Sequence, residues 1–322
     1  MTVISVIIPV HNRPQSLRRA VLSVLAQRDI RPEDLEVIVV DDASSMPPNV
    51  EAFGPRVIAV RLAQNGGPAT ARNAGIVRSS GTYIAFLDSD DVWLPDKLAR
   101  QRARFEALVT PATRAARALV SSVYMPDRFT GAIEARIPRP ASDLDDFATG
   151  CWFLPGSTLF LARDAFAPEA TGLFDARLRR LEDLDWFLRF GLRSGRLHVD
   201  DAVTTLVAPS ASAGASALRH PTSLLAAKFG PTGLMPLPRA LWRRFAAYLA
   251  LEEAAAALSD RDRLAFARHM ARSVWLVPRL HPQLAAQWHR IPGCPEDVAA
   301  EFAQMRLDVI ADRSGLPACL RV

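Results

Sequence analysis

The chain has 322 residues, 49% of them hydrophobic and 23% charged, with three cysteines and a formal net charge of +5. That length suits one large domain with a small one, or two modest ones, and the balance supplies a sizeable core and excludes a disordered chain. No uncharged apolar run approaches the roughly 18 residues that a spanning helix needs. Cys151, Cys294 and Cys319 fit neither a disulfide framework nor a zinc site, so a reducing, cytoplasmic setting is expected.

The amino terminus has no basic region ahead of its apolar part, so VISVIIPV at 3–10 is expected to be a first strand buried on both faces and not a signal peptide. His11, Asn12 and Arg13 follow, and Pro14 opens a helix with Leu17, Val21, Val24 and Leu25 at helical spacing. LEVIVV at 35–40 repeats the strand signal and ends on Asp41 and Asp42. VIAVRL at 57–62 is a third strand, followed by Asn65, Gly66, Gly67 and Pro68 and a helix through Ala69, Ala71, Ala74 and Ile76. A fourth strand at 83–87 stops at the carboxylates Asp88, Asp90 and Asp91, and Pro95 is expected to open the next helix.

Strand and helix alternate four times, which predicts a doubly wound, mostly parallel sheet flanked by helices. In such sheets ligands bind beyond the carboxyl ends of the strands, where His11, Asn12, Asp41, Asp42, Asn65, Asp88 and Asp90 all fall. Asp88 and Asp90 are spaced to reach a hard divalent cation and bridge it to phosphate oxygens; the other reading makes them, with Asp91, turn and capping residues. Gly66 and Gly67 permit close backbone approach to a ligand. Neither a dinucleotide fingerprint nor a phosphate loop is present.

From about residue 115 the alternation lapses. Strands are expected at 118–124 and 157–162, with a turn near Leu154, Pro155 and Gly156 and a stretch rich in Pro and Asp between. Residues 181–193 are expected to be a helix with Leu184, Phe187 and Leu188 on one face. Glu182, Asp183 and Asp185 crowd its amino-terminal end, where acid also serves as a cap. One or two strands follow at 197–207. Residues 208–237 are expected to be a linker and 238–322 a helical C-terminal region, after a domain at 1–207 whose halves divide at 110. Residues 211–322 carry 14 basic and 9 acidic side chains, against 25 of each before them, so the whole positive excess lies there. It marks either an anionic partner or a solvated arginine-rich surface.

Five ordered stretches, VISVIIPVHNR at 3–13, VVDDAS at 39–44, NGGPATARNAG at 65–75, FLDSDD at 86–91 and FDARLRRLEDLDWFLR at 174–189, together resemble family 2 glycosyltransferases of the GT-A fold over roughly the first 205 residues. The resemblance implies an inverting transferase that takes sugar from a nucleotide-diphosphate sugar, a UDP-sugar by preference. It implies Pro9, Val10, His11, Asp41, Asp42, Asn65, Arg72, Asp88 and Ser89 about the nucleotide. Asp90, Asp88 and His220 are implied about Mn²⁺ or Mg²⁺, and Asp183 is implied as the general base, with Glu182 and Asp185 orienting the acceptor and Asp185 as a substitute base. Trp152, Pro155, Gly156 and Trp186 are expected to shape the acceptor side, aromatic faces suiting sugar rings, although core packing is the other reading of both tryptophans. The expected partners are a saccharide or lipid-linked acceptor and, peripherally, an anionic membrane surface, with no nucleic acid. A non-catalytic nucleotide-sugar-binding or scaffold protein of the same fold is the alternative. A nucleotidyltransferase would need a glycine- and lysine-rich loop that residues 11–20 do not supply.

Overall fold

The structure, a computed structural model, describes residues 3–127, 130–208, 215–280, 284 and 286–314. Its centre is a ten-stranded mixed sheet. β1 (Ile4–Val10), β2 (Leu35–Asp41), β3 (Val57–Arg61) and β4 (Tyr83–Phe86) run parallel in the order β3-β2-β1-β4. The sheet continues past β4 through β8 (Phe160–Ala162), β6 (Arg117–Pro126), β7 (Ile133–Pro138) and β10 (Trp288–Pro292), each antiparallel to the strand before it. β9 (Arg196–Leu206) lies parallel to β6 and antiparallel to the short β5 (Val92–Trp93).

β1, β2 and β4 alternate their side chains between two apolar layers, so these strands, buried on both faces, read as nearly continuous apolar runs, while the edge strand β3 is half exposed. Ile4, Val6 and Ile8, with Val37 and Val39, pack on α1 (Pro14–Leu25) and α3 (Lys97–Leu108) through Leu17, Val21, Val24, Leu98 and Phe105. Ile7, Ile38 and Phe86 face the other way, onto α2 (Pro68–Arg78) and the aromatic side of α6 (Glu182–Leu192). The short helices α4 (Leu144–Phe147) and α5 (Pro155–Thr158) complete that layer.

Several elements differ from expectation for local reasons. The helix expected at Pro95 begins at Lys97, because Val92 and Trp93 pair with Leu206 and Thr205 and the Leu94 N–H donates to Thr204 O, holding the chain extended. Ser157 and Thr158, expected in a strand, close the α5 turn, where the Thr158 hydroxyl donates to Phe153 O and Leu154 O. β7, inside the stretch rich in Pro and Asp, is stabilised by pairing on both edges and shows little local signal.

In the expected linker, residues 215–229 form α7 (Ala215–Phe229), which packs on α8 (Arg239–Ser259). The expected helical C-terminal region holds α8 and α9 (Arg263–Leu276) but also β10, an edge strand of the main sheet, and α10 (Glu296–Ser314), which returns to α1. There Arg19 binds Asp308 and Glu301, and Asp312 accepts the backbone N–H groups of Gln15 and Ser16, capping the first turn of α1. Residues 209–214 of the expected linker lie outside the described residues, as do 281–283, 285 and 315–322, the last of which include Cys319.

Lys97 is completely buried under Trp93, its ammonium 4.2 Å from the ring centroid and donating to Gln101 Oε1 at 2.5 Å. Burial holds its pKa well below the ordinary lysine value, with Asp200 opposing in part. The unfolded chain therefore binds more protons between the two values, and stability rises with pH through that window. Lys97→Met is expected to gain about 1 kcal/mol at neutral pH, raising Tm by about 2–4 °C, and to flatten that slope; thermal melts at two pH values measure both.

Candidate active site

The polar ends of the parallel strands open into a cavity of about 730 Å³, of the size that holds a nucleotide-like ligand. Pro9 and Val10 at the end of β1, His11 and Arg13 just after it, Asp42 after β2, Arg72 on α2 and Asp88, Ser89, Asp90 and Asp91 after β4 line it. Pro155, Gly156 and Ser157 of α5, and Leu181, Glu182 and Asp183 at the start of α6, face it from the second half of the sheet. Leu154 and Leu181, immediately before these two helices, hold left-handed backbone at φ 50° and 61°, a cost for non-glycine residues that collects at functional sites.

Local bonds set each group. His11 donates from Nδ1 to Asp42 O at 2.8 Å and accepts at Nε2 from Asn12. The Asp42 carboxylate accepts the backbone N–H groups of Gly66 and Gly67 at 2.7 and 2.8 Å, so the two glycines build the strand end before any ligand arrives. Asp88 accepts from Arg72 Nη2 at 2.8 Å, and Asp90 from Arg13 Nη1 at 2.6 Å. A Cβ on Gly156 would stand 2.3 Å from Asp88 Oδ2, so the glycine is what admits that carboxylate. Asp91 is buried behind the pair, accepting from the Ser157 hydroxyl and the Ala208 N–H. Burial, followed by the charges of Asp90 and Asp88, pushes the Asp91 carboxyl well up. Burial raises Asp90 too, against the pull of Arg13.

Three acids crowded at one strand end are the oxygen donors a hard divalent cation takes, and the raised pKa values of Asp90 and Asp91 mark a place where added positive charge is stabilised. Asp88 and Asp90 fit that role in chemistry, although each leans on an arginine. Among the described residues no group of three His, Cys, Asp or Glu side chains is drawn together as a ready metal cage.

Asp183 faces the same cavity, with its carboxylate accepting the Leu184 N–H at 2.8 Å. Enclosure, then the neighbouring Glu182 charge and more weakly Glu252, push its pKa to about 7 against the opposing pull of Arg72. Arg72 binds Glu182 Oε1 at 2.6 Å and so ties α2, the strand-end acids and α6 together.

Other expected residues lie elsewhere. Asp185 is wholly buried, with one oxygen bound by Arg189 and the other by Lys228, so it locks α6 to α7 and has no free oxygen to act as a base or to orient an acceptor. Trp186 is wholly buried among Phe166, Phe174, Phe187 and Phe190 and donates to Gly172 O. Trp152 is buried beneath Arg139 and donates to Arg139 O. Core packing claims both rings, and neither lines the cavity. Asp41 points away to Arg61 and the Ser44 N–H. Asn65 lies beside the cavity, not in its lining, where it accepts from Arg179. His220 is exposed on α7 and outside the lining.

Sequence reasoning missed Arg13, Arg179 and Arg180, exposed cations at the cavity, and Cys151. The RLRR run at 177–180 was a legible signal for two of them. It also missed Leu218 of α7 and Glu252, Ala255 and Ala256 of α8, which close the Asp183 end. Tyr248 donates to Glu252 Oε1 at 2.5 Å and holds it there.

A polar cavity thus lies at the carboxyl ends of the parallel strands, with paired acids on one side and a single raised acid on the other. Residues 5–153 match the family model "Glycosyl transferase family 2". The chain is 41% identical over 119 residues to the succinoglycan biosynthesis protein ExoW of Rhizobium meliloti (strain 1021), covering 33% of this chain and 36% of that protein. It is 40% identical over 103 residues to the putative teichuronic acid biosynthesis glycosyltransferase TuaG of Bacillus subtilis (strain 168), covering 30% of this chain and 40% of that protein. The chain thus spans well under two thirds of the length of these curated relatives. In fold it is similar to the crystal structure of S. aureus TarS in complex with UDP-GlcNAc, with a TM-score of 0.57 and 17% identity over 99% of this chain and 93% of that one.

Proposed function

We propose that the chain transfers a sugar from a nucleotide-diphosphate sugar, a UDP-sugar by preference, to a hydroxyl of a saccharide or lipid-linked acceptor, with inversion. The observation that carries this reading is Asp183, a carboxyl poised at about 7, in one cavity with Asp88 and Asp90. As general base, Asp183 takes the proton of the acceptor hydroxyl while that oxygen bonds to the anomeric carbon and the bond from that carbon to the diphosphate oxygen breaks. Glu182, bound to Arg72, keeps the base enclosed. Pro9, Val10, His11, Asp42 and Ser89 line the cavity and would face the nucleotide, and Arg13, Arg179 and Arg180, which line it too, would meet the charge of the diphosphate.

Mn²⁺ or Mg²⁺ held by Asp90 and Asp88 would stabilise the charge left on the diphosphate. The names of ExoW and TuaG, in polysaccharide biosynthesis, support a saccharide acceptor, and the UDP and UDP-GlcNAc complexes of TarS support a UDP donor. Among the described residues no helix is long and apolar enough to cross a membrane.

Isothermal titration of UDP, GDP, CDP and dTDP, each with and without Mn²⁺, against the wild type and Asp90→Ala tests the donor side. UDP is expected to bind with Mn²⁺, and Asp90→Ala to weaken that binding at least about tenfold. Absence of binding by every nucleotide under both conditions would overturn the reading in favour of a scaffold.

A further inference from the structure

We propose that the outward face of α9 is a membrane-docking surface that lays the helix flat in the headgroup region of an anionic bilayer. This goes beyond the transferase reading and does not depend on it, since docking requires no nucleotide.

The inner face of α9 is fixed by α8. Ser273 is buried and donates to Ala247 O at 2.9 Å, and His269 Nδ1 lies 3.0 Å from Glu253 Oε2. The opposite face therefore points to solvent, and it is not polar. Leu264 is 86% exposed and Trp275 79%, and the spacing 264, 268, 271, 275 places them with Arg268 and Ala271 on one stripe about 17 Å long. Val274, half exposed, widens it. A leucine and a tryptophan of such exposure on one helix face form a patch that water does not favour.

Charge decides the partner. The segment RLAFARHMARSVWL contains no acid. Arg268 lies within the stripe and Arg272 beside it; Arg272 lies 4.0 Å from Glu253, and the polar neighbour of Arg268 is another basic side chain, His269. A second copy docking through the same patch about a two-fold axis would set arginines against arginines with no acid on the helix to relieve them. An anionic headgroup layer supplies the opposite charge everywhere along the stripe, and Trp and Arg suit the interface, the ring at headgroup depth and the guanidinium reaching outward. The basic excess of the last 112 residues, 14 against 9, has the same sign.

Flotation of the full chain with vesicles of mixed phosphatidylglycerol and phosphatidylcholine, and with phosphatidylcholine alone, tests the proposal. Binding is expected to the anionic vesicles and to be at least about tenfold weaker to the neutral ones. Each arginine is worth about fivefold in partitioning near an anionic surface, so Arg268→Glu with Arg272→Glu is expected to lower binding by about 25-fold or more. Leu264→Ser with Trp275→Ser is expected to lower it at least about tenfold. Both double variants alter exposed side chains and are expected to melt as the wild type does, which separates lost docking from lost folding. Failure to float, equal binding to both vesicle types, or binding that survives both double variants would overturn the proposal. So would a concentration-dependent dimer abolished by Leu264→Ser with Trp275→Ser, which would assign the face to self-association.

Discussion

Asp183→Asn is expected to cut the transfer rate by about 10²–10⁴-fold while leaving nucleotide affinity within about threefold of wild type. The amide keeps the size of the carboxyl and can accept the Leu184 N–H through its oxygen, but it cannot take a proton from the acceptor. Because the proposed base must be ionised to act and its pKa is pushed to about 7, wild-type kcat/KM is expected to climb about tenfold per pH unit below that value and to level off above it. The same shift acts on stability with the opposite sense: the folded chain holds the Asp183 proton that the unfolded chain gives up near the ordinary aspartate value, so this group's contribution falls as pH rises toward 7. A pH–rate profile with the rising limb at the ordinary aspartate value would remove Asp183 from the role, as would an Asp183→Asn variant of near wild-type rate.

Arg72→Met is expected to cost about 3–5 kcal/mol of folding stability, read as a lower midpoint in urea denaturation. The Arg72 side chain is 8% exposed and that of Glu182 is 9% exposed, so the substitution strands one buried carboxylate; Asp88, at 39%, regains water and contributes less. Burial by itself would lower the pKa of the Arg72 guanidinium, but Asp88, Glu182 and Asp183 outweigh it and raise the pKa above the ordinary arginine value. Removing that cation also removes a pull on Asp183, so the rising limb of the pH–rate profile is expected to move to higher pH. Arg72→Lys keeps the charge but not the fork that spans two acids, and is expected to lose less. A methionine variant with unchanged midpoint would mean that the two acids find other partners.

β1, β2 and β4 were legible because burial on both faces leaves mostly apolar side chains to write them, and the edge strand β3 by its short run of β-branched residues; that signal needs no knowledge of the rest of the chain. The acids at their ends were legible for a related reason: a run of β-branched residues that stops on Asp has few purposes. β7 and β10 were not legible, since Ile133–Pro138 and Trp288–Pro292 are half-polar strands that pair with each other across about 150 residues of sequence, β10 forming the sheet's edge.

Within the acidic cluster of α6, helical spacing put three carboxylates in one turn without ranking them, and only the family resemblance singled out Asp183. The tertiary structure ranks them by surroundings: Asp185 meets Arg189 and Lys228, Glu182 meets Arg72, and Asp183 meets the cavity. The cap on α1 comes from Asp312, 296 residues beyond Ser16, and the wall beside Asp183 from Glu252 on α8, pairings that no local pattern could encode. The parallel half of the sheet and the residue types at its polar edge can be read from the residues alone, because periodicity and strand ends are local. Which α6 acid faces the cavity free of a basic partner, and which tryptophans are core, emerge in three dimensions, because a side chain's pKa and exposure are set by neighbours brought in from distant parts of the chain.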